Sequence, residues 1–259
     1  MRWKLIIDPV GRPGRDNMGI DSALLRSAQG GGPGGGNGGN AFLRLYRWDP
    51  PCLSFGRNEP ASSLYDIEKI RELGLDTVRR PTGGRAVWHD AELTYAVAAP
   101  CHAFGSLRQT YLAIHQMLAA AFERLGVTAT LASRRSGRAP RPSAGACFAL
   151  SAGGEIVVDD RKLVGSAQVR IGKAFLQHGS VLLENGQDVV SGVTMGTIPR
   201  VCATSLGEVL GRRIAFDEVA KAIALEVRER WWGTWSEGLR SPETTESDKF
   251  GDVSWTWRR

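Results

Sequence analysis

Arg79-Arg80-Pro81-Thr82-Gly83-Gly84-Arg85-Ala86-Val87-Trp88-His89-Asp90 brings guanidinium groups, a glycine pair and a His-Asp pair into one short run. Glycine has no side chain, so Gly83 and Gly84 permit positive φ or let a ligand lie against the backbone. The strand-prone Ala86-Val87-Trp88 that follows would fix the loop at a sheet edge. A long, thin substrate, lying along main chain with its polar end held by arginine, suits this pattern. A glycine turn between two strands, with solvated arginines, fits the same residues.

Downstream of this run, Glu92-Leu93-Thr94-Tyr95-Ala96-Val97 reads as a strand, and Pro100 ends it. Ser106-Leu107-Arg108-Gln109 has the pattern of a capping box. Leu107, Tyr111, Ile114, Leu118, Phe122 and Leu125 follow at helical spacing up to Gly126, with His115 at the flank of that face. Upstream, Ile67 to Leu73 predicts a short helix closed by Gly74. Ala41 to Trp48 alternates apolar and basic residues, as a half-buried strand does. Asn17 to Leu25 predicts an amphipathic helix with Met18, Leu24 and Leu25 on its apolar side. Residues 30–40 between them are mostly glycine. No Lys-Ser/Thr follows, so they read as a flexible loop and not a phosphate cradle.

Beyond the long helix, residues 133–142 form a basic, Gly- and Pro-containing loop with Arg134, Arg135, Arg138 and Arg141. Glu155-Ile156-Val157-Val158 and Lys162 to Gln168 predict a hairpin turning at Asp159-Asp160. Ala174 to Leu183 continues the sheet. Asp217 is placed to cap a helix on which Val219, Ile223, Val227 and Trp231 recur every fourth residue. Strands cluster with helices between them, without βαβ alternation. The expected fold class is therefore α+β, with mixed, largely antiparallel β-sheets flanked by helices. One catalytic domain over 1–235 and a loosely held polar tail over 236–259, docked by its tryptophans, is the expected division.

The 259 residues are 42% hydrophobic, enough for a sizeable core, and carry a formal net charge of +6. No run approaches the ~20 apolar residues of a membrane span. The start, Met1-Arg2-Trp3-Lys4-Leu5-Ile6-Ile7-Asp8, turns polar too soon for a signal peptide, which points to the cytoplasm. Cys52, Cys101, Cys147 and Cys202 are scattered, and the histidines lack zinc spacing, so no metal site is expected. Neither a zinc finger nor an aromatic-basic RNA signature is present, which disfavours nucleic acid. A basic surface would instead steer an acidic protein partner.

Cys147 is the candidate nucleophile. A free thiol has a pKa of about 8.5, and a nearby cation favours the thiolate. Lys162, at the hairpin turn, can fold back beside the sulfur. Such a pair suits acyl transfer through a thioester, with the lysine passing protons. A buried structural cysteine and a solvated turn lysine remain the alternative.

Arg79 to Asp90 with Glu92-Leu93-Thr94-Tyr95 resembles the lipoate-protein ligase and octanoyltransferase family. So do Arg161-Lys162-Leu163-Val164-Gly165-Ser166-Ala167-Gln168 and Leu176-Gln177-His178-Gly179-Ser180. Asn17-Met18 with Ile20-Asp21, and Pro51 through Gly56, also fall where the family has its opening helix and early strand. Ala146-Cys147-Phe148, ahead of the Lys162 hairpin, looks like the cysteine-dependent octanoyltransferase branch. The resemblance implies a biotin/lipoate protein ligase-like catalytic domain. It implies transfer of octanoyl from octanoyl-acyl carrier protein, without ATP or another cofactor, to the lysine of a lipoyl domain such as glycine cleavage H protein. Catalysis then falls to Cys147 and Lys162. Substrate binding falls to Arg79, Arg80, Thr82, Gly83, Gly84, His89, Gly165, Ser166 and Ala167. His89 orders the loop with Asp90 or contacts the acyl head. A monomer is compatible with one compact domain. An ATP-dependent lipoate ligase with an incidental Cys147, and a non-catalytic lipoyl-domain binding module, are the competing readings. The chain departs from the family pattern at Gly153-Gly154-Glu155, where an aromatic-Glu pair is usual. It departs again at Asn58-Glu59, where Gln is frequent, and in the glycine insert from Gly30.

Overall fold

The computed structural model describes residues 1–30, 40–133, 147–149, 153–196, 201–238 and 247–258. Residues 31–39 of the glycine loop, Ala146 and the basic loop with Arg134, Arg135, Arg138 and Arg141 lie outside the described residues.

Along the chain run β1 (Arg2–Arg12), α1 (Gly14–Ala28), β2 (Asn40–Trp48), β3 (Cys52–Phe55), α2 (Ala61–Leu64) and α3 (Ile67–Glu72). β4 (Asp76–Arg79), β5 (Val87–His89), β6 (Glu92–Pro100), α4 (Leu107–Glu123) and β7 (Thr130–Leu131) follow. After a 3₁₀ turn at Cys147–Ala149 come β8 (Ile156–Val158), β9 (Arg161–Ile171), β10 (Ala174–Leu182) and α5 (Asp188–Val193). The chain finishes with α6 (Leu206–Leu210), α7 (Phe216–Arg230), β11 (Thr234–Gly238), α8 (Ser247–Gly251) and α9 (Val253–Thr256).

Eight strands form one sheet in the order β11-β1-β2-β6-β10-β9-β8-β7, and β4-β3-β5 form a second. In the large sheet, β1 pairs in parallel with both β2 and β11, and the remaining pairs are antiparallel. The fold is thus α+β with mixed, largely antiparallel sheets. β1 itself was not foreshadowed, because Lys4, Asp8 and the glycine at 11 break up its apolar pattern.

The two-residue alternation of strands explains the layering. Leu43, Leu45, Tyr95, Val97, Phe175 and Val181 face α4 and α7, whose Ile114, Leu118, Phe122, Val219, Ile223 and Val227 complete the main core. Phe42, Tyr46, Trp48, Ala96, Ala98 and Leu176 face the other way, onto Met18, Leu24 and Leu25 of α1. The small sheet packs its Leu53, Phe55 and Trp88 with Tyr65 and Ile70 in a third cluster. Ser106 and Gln109 form the full reciprocal capping box of α4, and Asp159 and Asp160 take positive φ in the hairpin turn.

Several expectations change. β2 is buried on both faces, not half-buried, and Arg44 in its centre is fully enclosed. The enclosed guanidinium lies 3.2 Å from Asp21 Oδ1, 3.3 Å from Asp8 Oδ2 and 2.7 Å from Asn17 Oδ1, which meets the cost of burying a charge. Asp217 does not cap α7; Ala215 holds the N-cap and Asp217 sits in the first turn, where it complements the helix dipole. The described part of the tail is not loosely held. β11 pairs with β1, Phe250 is buried against α1, and Trp255 Nε1 donates to the Arg79 carbonyl at 3.1 Å. Among the described residues, no helix is long and apolar enough to cross a membrane.

Candidate active site

The 3₁₀ turn that carries Cys147 is pinned from two sides. Its Cys147 amide donates to the Ala86 carbonyl at 2.9 Å, and its Phe148 carbonyl accepts from the Cys202 amide at 3.2 Å. Lys162, the second residue of β9, reaches the same turn. Its Nζ lies 2.7 Å from Glu155 Oε1, 2.9 Å from the Cys147 carbonyl and 3.5 Å from Cys147 Sγ. Far from being solvated at a hairpin turn, Lys162 is only 1% exposed. Burial alone would pull its ammonium down. The charges of Cys147 and Glu155, with their hydrogen bonds, outweigh that and hold it above the ordinary lysine value. Lys162 therefore stands as a charged ammonium beside the Cys147 sulfur.

Cys147 opens onto a narrow, partly open pocket between the large sheet and the loop after β4, with an accessible volume of about 20 Å³. Arg80, Gly84, Val87 and His89 line it from the loop and β5; Gly165, Ser166, Ala167, His178 and Ser180 line it from β9 and β10. Met18, Tyr46 and Trp48 close the far wall. Gly165 is a close-approach position. A Cβ there would lie 3.0 Å from the Phe148 ring and 3.4 Å from Cys147 Sγ, crowding the thiol.

The loop residues divide into wall and support. Arg80 wraps the loop from inside, donating to the Ser54 carbonyl at 2.9 Å, Ser54 Oγ at 2.5 Å and the Arg85 carbonyl at 2.8 Å. Gly84 has φ +102, so its glycine is conformationally required, whereas a Cβ on Gly83 would meet nothing within 4 Å. Thr82 is buried behind the pocket, its hydroxyl 2.7 Å from His178 Nε2, and His178 Nδ1 lies 3.0 Å from Asp21 Oδ2. Arg79 is not in the pocket wall. Its guanidinium donates to the carbonyls of Gly56, Glu59, Trp255, Thr256 and Arg258 at 2.7–3.0 Å. Burial is the main influence lowering it, to about 10.

His89 pairs with Glu92, not Asp90: Nδ1 is 2.8 Å from Glu92 Oε1 and Nε2 is 2.6 Å from Ser54 Oγ. A carboxylate only accepts, so Nδ1 carries the proton and Nε2 accepts from the serine. Burial lowers His89 and outweighs the opposing pull of Glu92. A neutral imidazole, stacked 3.9 Å from the Trp48 ring, forms that part of the wall.

Glu155 is the residue that motif reading passed over as a site member. Val157 faces Lys162 across the hairpin, but the register shifts between Ile156 and Val157, so regular alternation does not reveal that Glu155 meets the lysine. Among the described residues, no group of three or more His, Cys, Asp or Glu could hold a metal ion.

A half-buried Cys147 beside buried Lys162 and Glu155, lining an apolar pocket on a mixed sheet, is the arrangement of an acyl-handling catalytic domain. Residues 13–228 match the lipoyl protein ligase A/B catalytic domain family, and the chain belongs to it. It is 40% identical to octanoyltransferase LipM of Moorella thermoacetica over 226 residues, covering 82% of this chain and 80% of that one. Against octanoyltransferase LipM of Symbiobacterium thermophilum, identity is 33% over 280 residues, with 99% and 98% covered. The fold is that of lipoate-protein ligase A bound with ATP, with a TM-score of 0.77, 20% identity and 99% of both chains covered.

Proposed function

We propose that this protein is an octanoyltransferase of lipoate biosynthesis that works through a thioester on Cys147. It takes octanoyl from octanoyl-acyl carrier protein and delivers it to the lysine of a lipoyl domain, such as that of glycine cleavage H protein. The observation that carries the reading is Lys162 Nζ, 3.5 Å from Cys147 Sγ and anchored by Glu155 at the mouth of an apolar pocket. Relatives named octanoyltransferase, which match most of the chain, support the same class.

In the first half-reaction the Cys147 thiolate attacks the donor thioester carbonyl. The new carbon–sulfur bond to Cys147 forms as the bond to the carrier sulfur breaks, and the Lys162 ammonium gives that sulfur its proton. The octanoyl chain lies in the pocket against Gly84, Val87 and Gly165. Acylation also removes the charge of Cys147, the largest influence holding Lys162 protonated. The lysine is thereby readied to act as a base. In the second half-reaction the acceptor amine, entering without its ammonium proton, attacks the Cys147 thioester. Its remaining surplus proton passes to Lys162, the Cys147 thiolate leaves, and the starting ion pair returns. Arg80 and His89 shape the wall that holds the chain, and Ser166 and Ala167 continue it on β9. A cytoplasmic, monomeric enzyme belongs to the same proposal.

Replacing Cys147 with Ala tests this mechanism. Transfer from octanoyl-acyl carrier protein to a lipoyl domain is expected to vanish, and full retained activity would contradict the thioester route.

A further inference from the structure

Two pieces of chain must keep their places for Lys162 to face Cys147. One is the turn that leads into β8 with Glu155, and the other is the stretch of β9 that holds Gly165 and Ser166. His115 joins them from α4. It is fully enclosed, with Nδ1 2.6 Å from the Gly154 carbonyl and Nε2 2.9 Å from Ser166 Oγ. A carbonyl only accepts, so Nδ1 carries the proton and Nε2 accepts from the Ser166 hydroxyl. Tyr95 OH then donates to Ser166 Oγ at 2.7 Å, and Gln177 Nε2 donates to Tyr95 OH at 3.0 Å. Every donor in this chain meets one acceptor, which fixes both the tautomer and the ring plane. Burial brings His115 down to about 4, against the pull of the Gly154 bond and with help from the Lys162 charge. The ring is thus neutral at working pH.

An apolar side chain would fill the same core space without the cost of desolvating an imidazole. Both ring nitrogens instead serve the turn before β8 and strand β9, which carry Glu155 and Lys162. We propose that His115 is a positioning residue: by tying the Gly154 carbonyl to the Ser166 hydroxyl, it holds Glu155 against Lys162, and Lys162 beside Cys147. The inference rests on reading Cys147 and Lys162 as the reactive pair. Lys162 is faced by Cys147 and the Phe148 ring from the 3₁₀ turn, and by Glu155 from the turn before β8. On the α4 side stand His115 and Tyr111, the latter a neutral phenol pushed up by burial and by Glu155.

Asn can place its amide N–H where Nδ1 sits, keeping the Gly154 bond. Gln reaches the Nε2 position and loses that bond. The test is a pH titration of the Lys162 Cε resonance in full-length protein labelled with ¹³C-lysine, assigned by its loss in Lys162→Met. With Glu155 displaced, Lys162 loses one of the two partners that hold its ammonium against burial. Its midpoint is expected to fall by about one pH unit in His115→Gln and to stay at the wild-type value in His115→Asn. A wild-type midpoint in His115→Gln, or equal shifts in both variants, would overturn the proposal. If His115→Gln does not fold, His115→Phe, which fills the same space with neither bond, reads the same link. It is expected to lower the midpoint too, and an unchanged midpoint there would overturn the proposal. The titration uses no acyl donor, so a failure of the octanoyl reading leaves it interpretable.

Discussion

The backbone amide of Cys147 donates a 2.9 Å hydrogen bond to the carbonyl of Ala86. Cys147 is thereby fastened to the glycine-arginine run, although some sixty residues separate them. Cys147 thereby lines one pocket together with Gly84 and Val87 from the run and Gly165 from β9.

In the proposed mechanism Lys162 gives a proton to the departing sulfur of the donor, so removing its charge without much change in bulk is informative. Lys162→Met is expected to lower the rate of Cys147 acylation by about 10²–10⁴-fold, the usual scale for a general acid-base group. Single-turnover kinetics with an octanoyl thioester would measure it. A rate within twofold of wild type would remove Lys162 from the chemistry.

Gly165 leaves just enough room for the thiol. A Cβ at this position lies 3.0 Å from the Phe148 ring and 3.4 Å from Cys147 Sγ. Gly165→Ala is therefore expected to displace the 3₁₀ turn, costing about 1–3 kcal/mol of stability through overpacking. Cys147 acylation should slow as well. Thermal melting and acylation rate, measured together, check both effects.

Arg79 was expected among the substrate-binding residues, yet its guanidinium is spent on main-chain carbonyls, three of them in the tail. Arg79→Met leaves those carbonyls and their neighbours unsatisfied, at about 1–3 kcal/mol for each group that water does not reach. The expected result is a marked drop in melting temperature with little change in the KM for the acyl donor. Removal of residues 247–259 should destabilise the protein in the same way. A raised KM with unchanged stability would return Arg79 to the binding site.

His115 makes stability depend on pH. Its folded value of about 4 lies below the ordinary 6.5, so the unfolded chain binds this proton more readily. The stability it permits is present above pH ~6.5 and is lost as pH falls toward ~4. At about 1.4 kcal/mol per unit, the loss is about 3 kcal/mol over that window. His89, lowered by burial, acts in the same direction. Urea unfolding of wild type and His115→Asn between pH 4 and 7 should show a flatter slope in the variant.

Local rules in the sequence reached far here, and their failures share a cause. The capping box at Ser106 and the turn at Asp159-Asp160 depend on neighbours within a few residues, and both formed. The Cys147–Lys162 approach was readable because one short hairpin separates the partners. Arg44 was misread as a solvent-facing strand residue because its carboxylate partners lie on β1 and α1. The full set of Arg79 bonds is hard to read from sequence because its acceptors are backbone carbonyls, which carry no side-chain signature. His115 looked peripheral for a similar reason: Gly154 and Ser166 meet it only once β8 and β9 are folded against α4.

The central claim is that Cys147 carries the acyl group. Intact-mass measurement of the protein mixed with octanoyl-acyl carrier protein, with and without ATP, tests it most directly. The account predicts a gain of one octanoyl group, mapped to Cys147, without ATP. No gain without ATP, together with acyl-AMP formed when ATP and free acid are supplied, would contradict it.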